Sequence, residues 1–347
     1  MSSHLRPRSR GVLLIVALLT MLASAACTGS ASSPTASTPA SQAAASPTPV
    51  VTAPATATPA PEPTSTPAPS FPITVTDDLG NSVTIPARPE RIVALTPAAT
   101  EILFRLGAGD RTVAKSEDID PYPPEADGLP IVSKFTGVDV EAIVGLDADL
   151  VIGDAVNPAE AITKLKDLGL PVVLMAASSI DGALKDIELV GEAIGSGGDA
   201  RDLTASMRAR FDQLGALTAD APKPRVFYEI GAGDTIYTMP AESIYAEMLK
   251  LAGADPITTD ASYVISLEKL VDADPEIILL ADGTPVADVA KRPGWEGMTA
   301  VKDGRVIAIN DTTVTRPGPR LVDGLEALIK VIHPELVIPS PAPVTTP

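Results

Sequence analysis

Aromatic side chains are scarce in this chain of 347 residues, 11 in all, so where they stand carries information. Phe135, Tyr228, Tyr237, Tyr263 and Trp295 fall at the ends of expected strands or in the loops beyond them. Flat faces there suit a large planar ligand, although each ring could instead pack its own loop. Pro97 stands at the same kind of strand exit. Arg316 and Arg320 flank Pro317-Gly318 ahead of the last expected helix. The Arg316 fork suits a carboxylate or phosphate on a ligand, and equally a neighbouring acid. His333 is the only histidine of the folded part and precedes a proline at a helix C-terminus, where it favours the dipole. The folded part has no cysteine, so the ligand set that bare Zn²⁺ or Cu⁺ requires is missing. A Ser-His-Asp triad would have to use the same histidine. Gly231-Ala232-Gly233 lacks the third glycine and the helix opening of a dinucleotide loop. A metal already wrapped in an organic chelate needs neither ligands nor nucleophile, only shape and hydrogen bonds.

The elements that must position these residues follow a strand–helix rhythm. Ile73–Thr76 and Ser82–Ile85 alternate around Asp78-Leu79-Gly80-Asn81, a hairpin signal. Strands are expected at 91–95, 112–115, 150–153 and 172–175, with helices at 98–106, 140–146 and 158–168 between them. The rhythm restarts with strands at 225–230, 277–281 and 306–309 and helices at 243–252, 267–271 and 319–332. Such alternation predicts α/β architecture with mostly parallel, doubly covered sheets. Between the two halves, Ser179 caps an amphipathic run through Ile180, Leu184, Ile187, Val190 and Ile194. After Gly195-Ser196-Gly197-Gly198, Asp199 is the expected cap of a second run with Leu203, Met207, Phe211, Leu214 and Leu217 on one stripe. A helix over 200–219 would span roughly 30 Å and either brace two lobes or serve as an ordinary crossover.

The chain begins with Arg6, Arg8 and Arg10 and an apolar run from Val12 to Ala23, the pattern of a removable leader over 1–26. Ser24-Ala25-Ala26 precede Cys27, the only cysteine, in a setting that resembles the bacterial lipobox, with Ser24 where leucine is usual. A lipidated Cys27 is expected, with plain secretion as the alternative. Residues 28–70 are almost wholly Pro, Thr, Ser and Ala, a composition that cannot bury a core and predicts a disordered tether. Extended, it would reach on the order of 130 Å, enough to hold a domain clear of a membrane. Residues 340–347 form a similar tail. The formal charge is -18, and losing the three leader arginines leaves 23 basic against 44 acidic residues, or -21. That argues against nucleic acid and anionic lipid surfaces as partners.

Two segments echo one another without a gap: 138–144 and 265–271, VDVEAIV against ISLEKLV. Each carries a glutamate, Glu141 or Glu268, followed six residues later by Asp147 or Asp274 and then by an apolar strand. Arg91 and Arg225, each opening a strand, stand at a similar offset. Short acidic–apolar strings recur by chance, but with the long helix the echo implies two lobes of like topology, 71–197 and 222–339, joined by a helix over 198–221. Facing α/β lobes leave a cleft at the strands' carboxyl ends, where such sheets bind ligands.

Further runs carry a family resemblance. Thr76–Gly80, then Pro89–Leu103, resemble the opening of the periplasmic binding proteins for iron chelates and vitamin B12. Tyr122-Pro123-Pro124-Glu125, Lys223–Val226, Arg292-Pro293-Gly294-Trp295 and Arg316–Val322 match as well, so that the likeness covers 72–338. Phe135-Thr136-Gly137, followed by Val140-Glu141, and the run from Arg316 to Arg320 look most like the cobalamin-binding branch. The resemblance implies two Rossmann-like α/β lobes joined by one long helix. It implies a monomeric lipoprotein on the outer face of the cytoplasmic membrane, with no intrinsic cofactor. Such a receptor passes its ligand, here a corrinoid, to an ABC permease dimer with its ATPase subunits. A ferric siderophore or haem, its iron bound by Tyr228, Tyr237 or Tyr263, is the alternative ligand. In relatives one surface glutamate per lobe meets arginines of the membrane subunits, and Glu141 and Glu268 match those positions. Two rival classes remain. An enzyme would need a cleft acid/base pair such as Glu117 with Asp118; a protein-binding domain would show an exposed apolar patch in place of a cleft.

Overall fold

The computed structural model describes residues 70–281 and 283–341; the leader, Cys27, the tether and the last six residues of the tail lie outside them. β1 (Ile73–Thr76) and β2 (Ser82–Ile85) pair antiparallel with Val75 opposite Val83, as the alternation predicts. Asp77 Oδ1 closes the turn, accepting from the amides of Leu79 and Asn81 at 3.1 and 2.7 Å.

The first sheet then builds outward from its centre. In chain order come β3 (Ile92–Ala94), α1 (Pro97–Arg105), β4 (Thr112–Ser116), β5 (Ile131–Lys134), β6 (Gly137–Val138) and α2 (Val140–Gly145). β7 (Leu150–Asp154), α3 (Ala159–Asp167) and β8 (Val172–Met175) complete it. The strand order is β6-β5-β4-β3-β7-β8, parallel throughout except for β6. β3 and β8 are buried at every residue, which is why their sequences read as unbroken apolar runs.

α4 (Ile180–Ile194) begins where expected, with Ser179 Oγ accepting from the Gly182 amide at 3.0 Å. It ends at Gly195, whose φ of 78° is the left-handed conformation that glycine adopts without strain. The chain reverses there and restarts at once: α5 (Gly197–Thr218) has Ser196 at its N-cap, without a side-chain bond. Asp199 is therefore not the cap the sequence predicts but a first-turn acid. The glycine turn is tight enough to leave no separate linker. At 22 residues α5 is about 33 Å long. Met207, Phe211 and Leu214 are buried as expected, while Leu203 and Leu217 are half-buried because Thr204, Arg210 and Thr218 take the inner positions.

The second sheet repeats the scheme. Its elements are β9 (Arg225–Glu229), β10 (Gly231–Ala232), β11 (Ile236–Tyr237), α6 (Ile244–Leu251), β12 (Asp255–Pro256), β13 (Val264–Ile265) and α7 (Leu267–Ala273). β14 (Ile277–Leu280), α8 (Val286–Val289), α9 (Thr299–Lys302), β15 (Val306–Ala308), α10 (Thr312–Thr315) and α11 (Leu321–Ile332) follow. The order β12-β9-β14-β15 is wholly parallel. β10, β11 and β13 form a separate antiparallel sheet that grows directly from the end of β9.

The architecture is thus two α/β lobes with a long helix between them, and the two share one core. A single cluster of buried apolar side chains runs from Ile92 and Leu103 through Ile187, Phe211 and Leu214 to Tyr245, Leu325 and Ile329. α4 and α5 approach closely, for a Cβ on Gly191 would lie 2.3 Å from that of Ala200. Glu247 of α6 accepts from the Ile180 amide at 2.7 Å, adding a polar tie across the same junction.

The sequence echo is also an echo in three dimensions. Asp147 and Asp274 are the two non-glycine residues with positive φ among those described, at 50° and 42°. In the first lobe Arg91 Nε donates to Leu146 O at 2.6 Å, and its amide donates to Asp149 at 2.9 Å. In the second, Arg225 Nε donates to Ala273 O at 3.1 Å and its amide to Glu276 at 2.9 Å. An arginine at a strand start thus staples the end of a short helix in both lobes.

One buried carboxyl gives the fold a pH dependence. Asp186 of α4 is fully buried, accepts from the Ala177 amide at 3.3 Å through Oδ2, and has no donor at Oδ1. Burial, then a hydrogen bond to Asp78 and its charge, push the Asp186 carboxyl up to about 9. The Asp186 carboxyl is accordingly held in its protonated form at neutral pH. The unfolded chain would release that proton near pH 4, so folding takes up a proton between these values. The stabilisation is complete below about pH 4 and is lost as the pH climbs towards 9. Asp186→Asn, whose amide can donate to Asp78 in place of the acid, is expected to flatten this decline and to exceed wild type in stability at pH 9. Urea unfolding at a series of pH values checks it, and parallel pH profiles for the two proteins would count against the assignment.

Candidate functional site

Parallel strands place all their carboxyl ends on one edge of a sheet. On the first sheet that edge releases Thr96-Pro97 after β3, Glu117 to Tyr122 after β4, Phe135-Thr136 after β5 and Ala155 to Asn157 after β7. On the second it releases Ile230 after β9 and Ile309 to Arg316 around α10.

These two edges are tied to each other by an ionic network. Arg316 Nη1 donates to Glu101 Oε1 at 2.6 Å and to Asp118 Oδ2 at 3.0 Å, while its Nη2 reaches Asp118 Oδ1 at 2.7 Å. Arg320 donates to both oxygens of Glu101, at 3.1 and 2.7 Å, and lies 4.1 Å above the Tyr122 ring. Asp120 accepts from Thr312 Oγ1 at 2.7 Å and from Asn310 Nδ2 at 3.3 Å. The Thr312 bond leads the causes that hold the Asp120 carboxyl below its usual range. The loop leaving β4 is thereby fastened to the segment leaving β15, so the carboxyl edges of the two lobes converge on one side of the molecule.

Exposed apolar side chains gather at the same edges. Phe135 is fully exposed, and Ile119 and Val156 have 96% and 81% of their surface open. Tyr237 in β11 and Tyr263 beside β13 are half-exposed on the small antiparallel sheet, joined by the Thr238 amide donating to Tyr263 O at 2.9 Å. Pro97 is half-buried at the first turn of α1, beneath which Thr96 Oγ1 accepts from the Ala99 amide at 3.3 Å.

Three of the residues singled out from sequence lie elsewhere in role. Tyr228 is inside β9, 3% exposed, stacked on Tyr245 at 4.0 Å between ring centroids, with its hydroxyl donating to Asp311 at 3.2 Å. The strand's alternation turns it toward the helices, not the loops. Trp295 is 3% exposed, edge-on to Phe227 and covered by the Arg292 guanidinium at 4.7 Å. Its loop folds back over the sheet and uses the indole as a plug. Neither ring presents a face to a ligand. Arg316 takes the second of its two expected roles, a bond to neighbouring acids.

Glu141 and Glu268 are both exposed in the first turns of α2 and α7, whose caps Asp139 and Ser266 accept from Ala142 and Lys269 at 2.9 and 3.2 Å. Neither glutamate has an ion-pair partner among the described residues. Each helix is followed by a parallel strand of its lobe, β7 after α2 and β14 after α7, so the two glutamates hold matching places in the two lobes. Glu117 is exposed while Asp118 is bound to Arg316, so this candidate acid/base pair is split. His333 is buried and bonded to Gly253 O at 3.2 Å, a structural partner. Among the described residues no His/Cys/Asp/Glu group could hold a metal ion, and no helix is long and apolar enough to cross a membrane. A groove of about 540 Å³ between α4, α5 and α6 takes in Ile180, Phe211 and Leu251 but none of the strand-exit residues.

Residues 92–313, spanning both sheets and the joining helix, match the family model described as periplasmic binding protein. The chain belongs to the periplasmic binding protein family. An uncharacterized ABC transporter substrate-binding lipoprotein, YvrC of Bacillus subtilis, is 34% identical over 76% of this periplasmic binding protein and 87% of its own length. A cobalamin-binding protein of Halobacterium salinarum is 32% identical over 76% and 75%. The crystal structure of the periplasmic vitamin B12 binding protein BtuF of Vibrio cholerae superposes with a TM-score of 0.63 at 28% identity. It covers 71% of this periplasmic binding protein and 97% of that chain. Its lobed α/β frame is therefore the family's.

Proposed function

We propose that the protein is the substrate-binding lipoprotein of an ABC importer and captures a cobalamin-like corrinoid between its lobes. The observation that carries this reading is the convergence of two strand-exit edges bearing exposed Phe135, Tyr237 and Tyr263, with Pro97 at the base of one edge. Uncharged, flat surfaces from both sides match the broad apolar faces of a chelated macrocycle. The names of the Halobacterium and Vibrio relatives support the ligand, and that of the Bacillus relative supports the importer and the lipid. In this reading residues 1–26 are removed, lipidated Cys27 anchors a tether over 27–70, and lobes 71–197 and 222–339 flank the joining helix. The receptor works as a monomer outside the cytoplasmic membrane, with a permease dimer and its ATPase subunits as partners. The shared core keeps the lobes nearly fixed when ligand enters. A ferric siderophore or haem is the second reading, favoured by the exposed Tyr237 and Tyr263 hydroxyls as iron ligands.

One preparation tests the whole. Native mass spectrometry of the protein from its own membranes is expected to show acylation at Cys27 and a corrinoid of defined mass. Calorimetric titration of the emptied protein with cyanocobalamin, haem and a ferric siderophore should then give saturation with the corrinoid. Saturation by an iron chelate, with no response to corrinoid, would transfer the assignment to the second reading.

A further inference from the structure

The arginines at the two carboxyl edges are already occupied. Arg316 and Arg320 face three carboxylates, those of Glu101, Asp118 and Asp120. Arg292 grips both oxygens of Glu229, with Nη2 at 2.9 Å from Oε1, and lays one face on Trp295. Glu101 and Glu229 have side chains 1% and 0% exposed, so neither can swing aside into water to release its arginine. Beyond these pairs the same edges carry Glu117 after β4, Asp154 at the end of β7 and Asp311 after β15. Among the described residues that end or leave these strands, Lys134 is the one cation outside such a pair. It stands beside the strand of Glu117, whose amide donates to Ser133 O at 2.7 Å. The charge at the edges is therefore negative, in keeping with the acidic chain around it.

An anion approaching this surface finds no open fork. A guanidinium that holds a carboxylate bidentately has lost the parallel pair of donors by which it would recognise another. Displacing Glu101 or Glu229 would strand a buried charge, which costs far more than a surface contact returns. What remains for a ligand is apolar surface, hydroxyls and a negative field.

On the reading that the cleft holds a metal chelate, we propose that it selects by charge. It takes chelates that are uncharged or cationic and turns away those that carry carboxylates or catecholates. Glu101, Glu229 and Asp118 set this preference, because they neutralise the arginines that would otherwise receive the ligand's anions. The filter thus acts through residues that need not touch the ligand.

The test is a titration series on the full protein with cyanocobalamin, uncharged in total; ferrioxamine B, a cation; haemin, with two propionates; and a ferric tris-catecholate, a trianion. The uncharged or cationic probes are expected to bind at least about tenfold more tightly than the two anions, a gap that narrows as salt is added. In Asp118→Asn, which leaves Arg316 a single carboxylate, the affinity ratio of haemin to cyanocobalamin should rise by about tenfold. Glu229→Gln should move the same ratio through Arg292, and circular dichroism establishes that each variant is folded. Haemin or the tris-catecholate binding wild type as tightly as the neutral probes would overturn the charge filter while leaving the receptor reading intact. So would a ratio unmoved in folded Asp118→Asn and Glu229→Gln. If no probe bound at all, the receptor reading would fall, and the filter with it.

Discussion

Glu101→Ala is expected to lower the stability of the folded protein by about 3–5 kcal/mol, the range for removing one partner of a buried ionic cluster. The carboxylate is almost wholly buried on the inner side of α1 and is shared by two guanidiniums that themselves have little exposure. Alanine would leave Arg320 with the Tyr122 ring and Asp120 at 3.5 Å, and Arg316 with Asp118 alone. Glu101→Gln keeps an acceptor oxygen for one arginine and should lose less. Because the network fastens one lobe to the other, the deficit should also appear as faster amide exchange at the loop after β4 and around α10. Denaturant unfolding followed by hydrogen exchange measures both. A loss below about 1 kcal/mol would place the cluster with ordinary exposed salt bridges.

The double charge reversal Glu141→Lys with Glu268→Lys is expected to abolish transport while the receptor still binds its ligand. Both carboxylates are exposed, free of ion pairs among the described residues, and held at matching places by the two stapled helices. A partner with twofold symmetry would meet one on each lobe. Placing a lysine against a cation of such a partner should weaken docking by about tenfold or more for one site and about a hundredfold for both. Uptake of labelled corrinoid by cells carrying each variant, beside calorimetry on the purified proteins, separates docking from capture. Wild-type uptake by the double variant would reduce these glutamates to helix-end charges of about 0.3–1 kcal/mol each.

Periodicity made the frame legible. β3, β7, β8, β9 and β14 are buried on both faces, so their apolar runs stand out, and α4 and α11 carry clear stripes, whereas the inner face of α5 mixes Thr204, Arg210 and Thr218 with its apolar residues. The two-residue strands β6, β10, β11, β12 and β13 are too short for any pattern, and the four-residue helices α8, α9 and α10 complete barely one turn. The ionic network was hidden for another reason. Glu101 and Arg316 are 215 residues apart, and nothing local in either segment names the other. A signal did exist in the charge of Glu101 on the otherwise apolar inner face of α1, and in Arg316 and Arg320 spaced by four. Tyr228 and Trp295 face inward because side chains alternate along a strand and the loop of Trp295 folds back on the sheet, and neither direction is specified by a single sequence position.

The core that runs unbroken from one lobe through α5 into the other bears on the thermodynamics of capture and release. A receptor assembled before its cargo arrives gives up little conformational entropy on binding, so modest contacts suffice for tight capture. The converse holds at the membrane. Spreading the edges of the empty receptor would wet apolar surface packed around Phe211 and Leu214, which disfavours an open form. On the proposed reading, the work of letting go falls to the transporter, drawn from docking and nucleotide hydrolysis and not from any spring within the receptor.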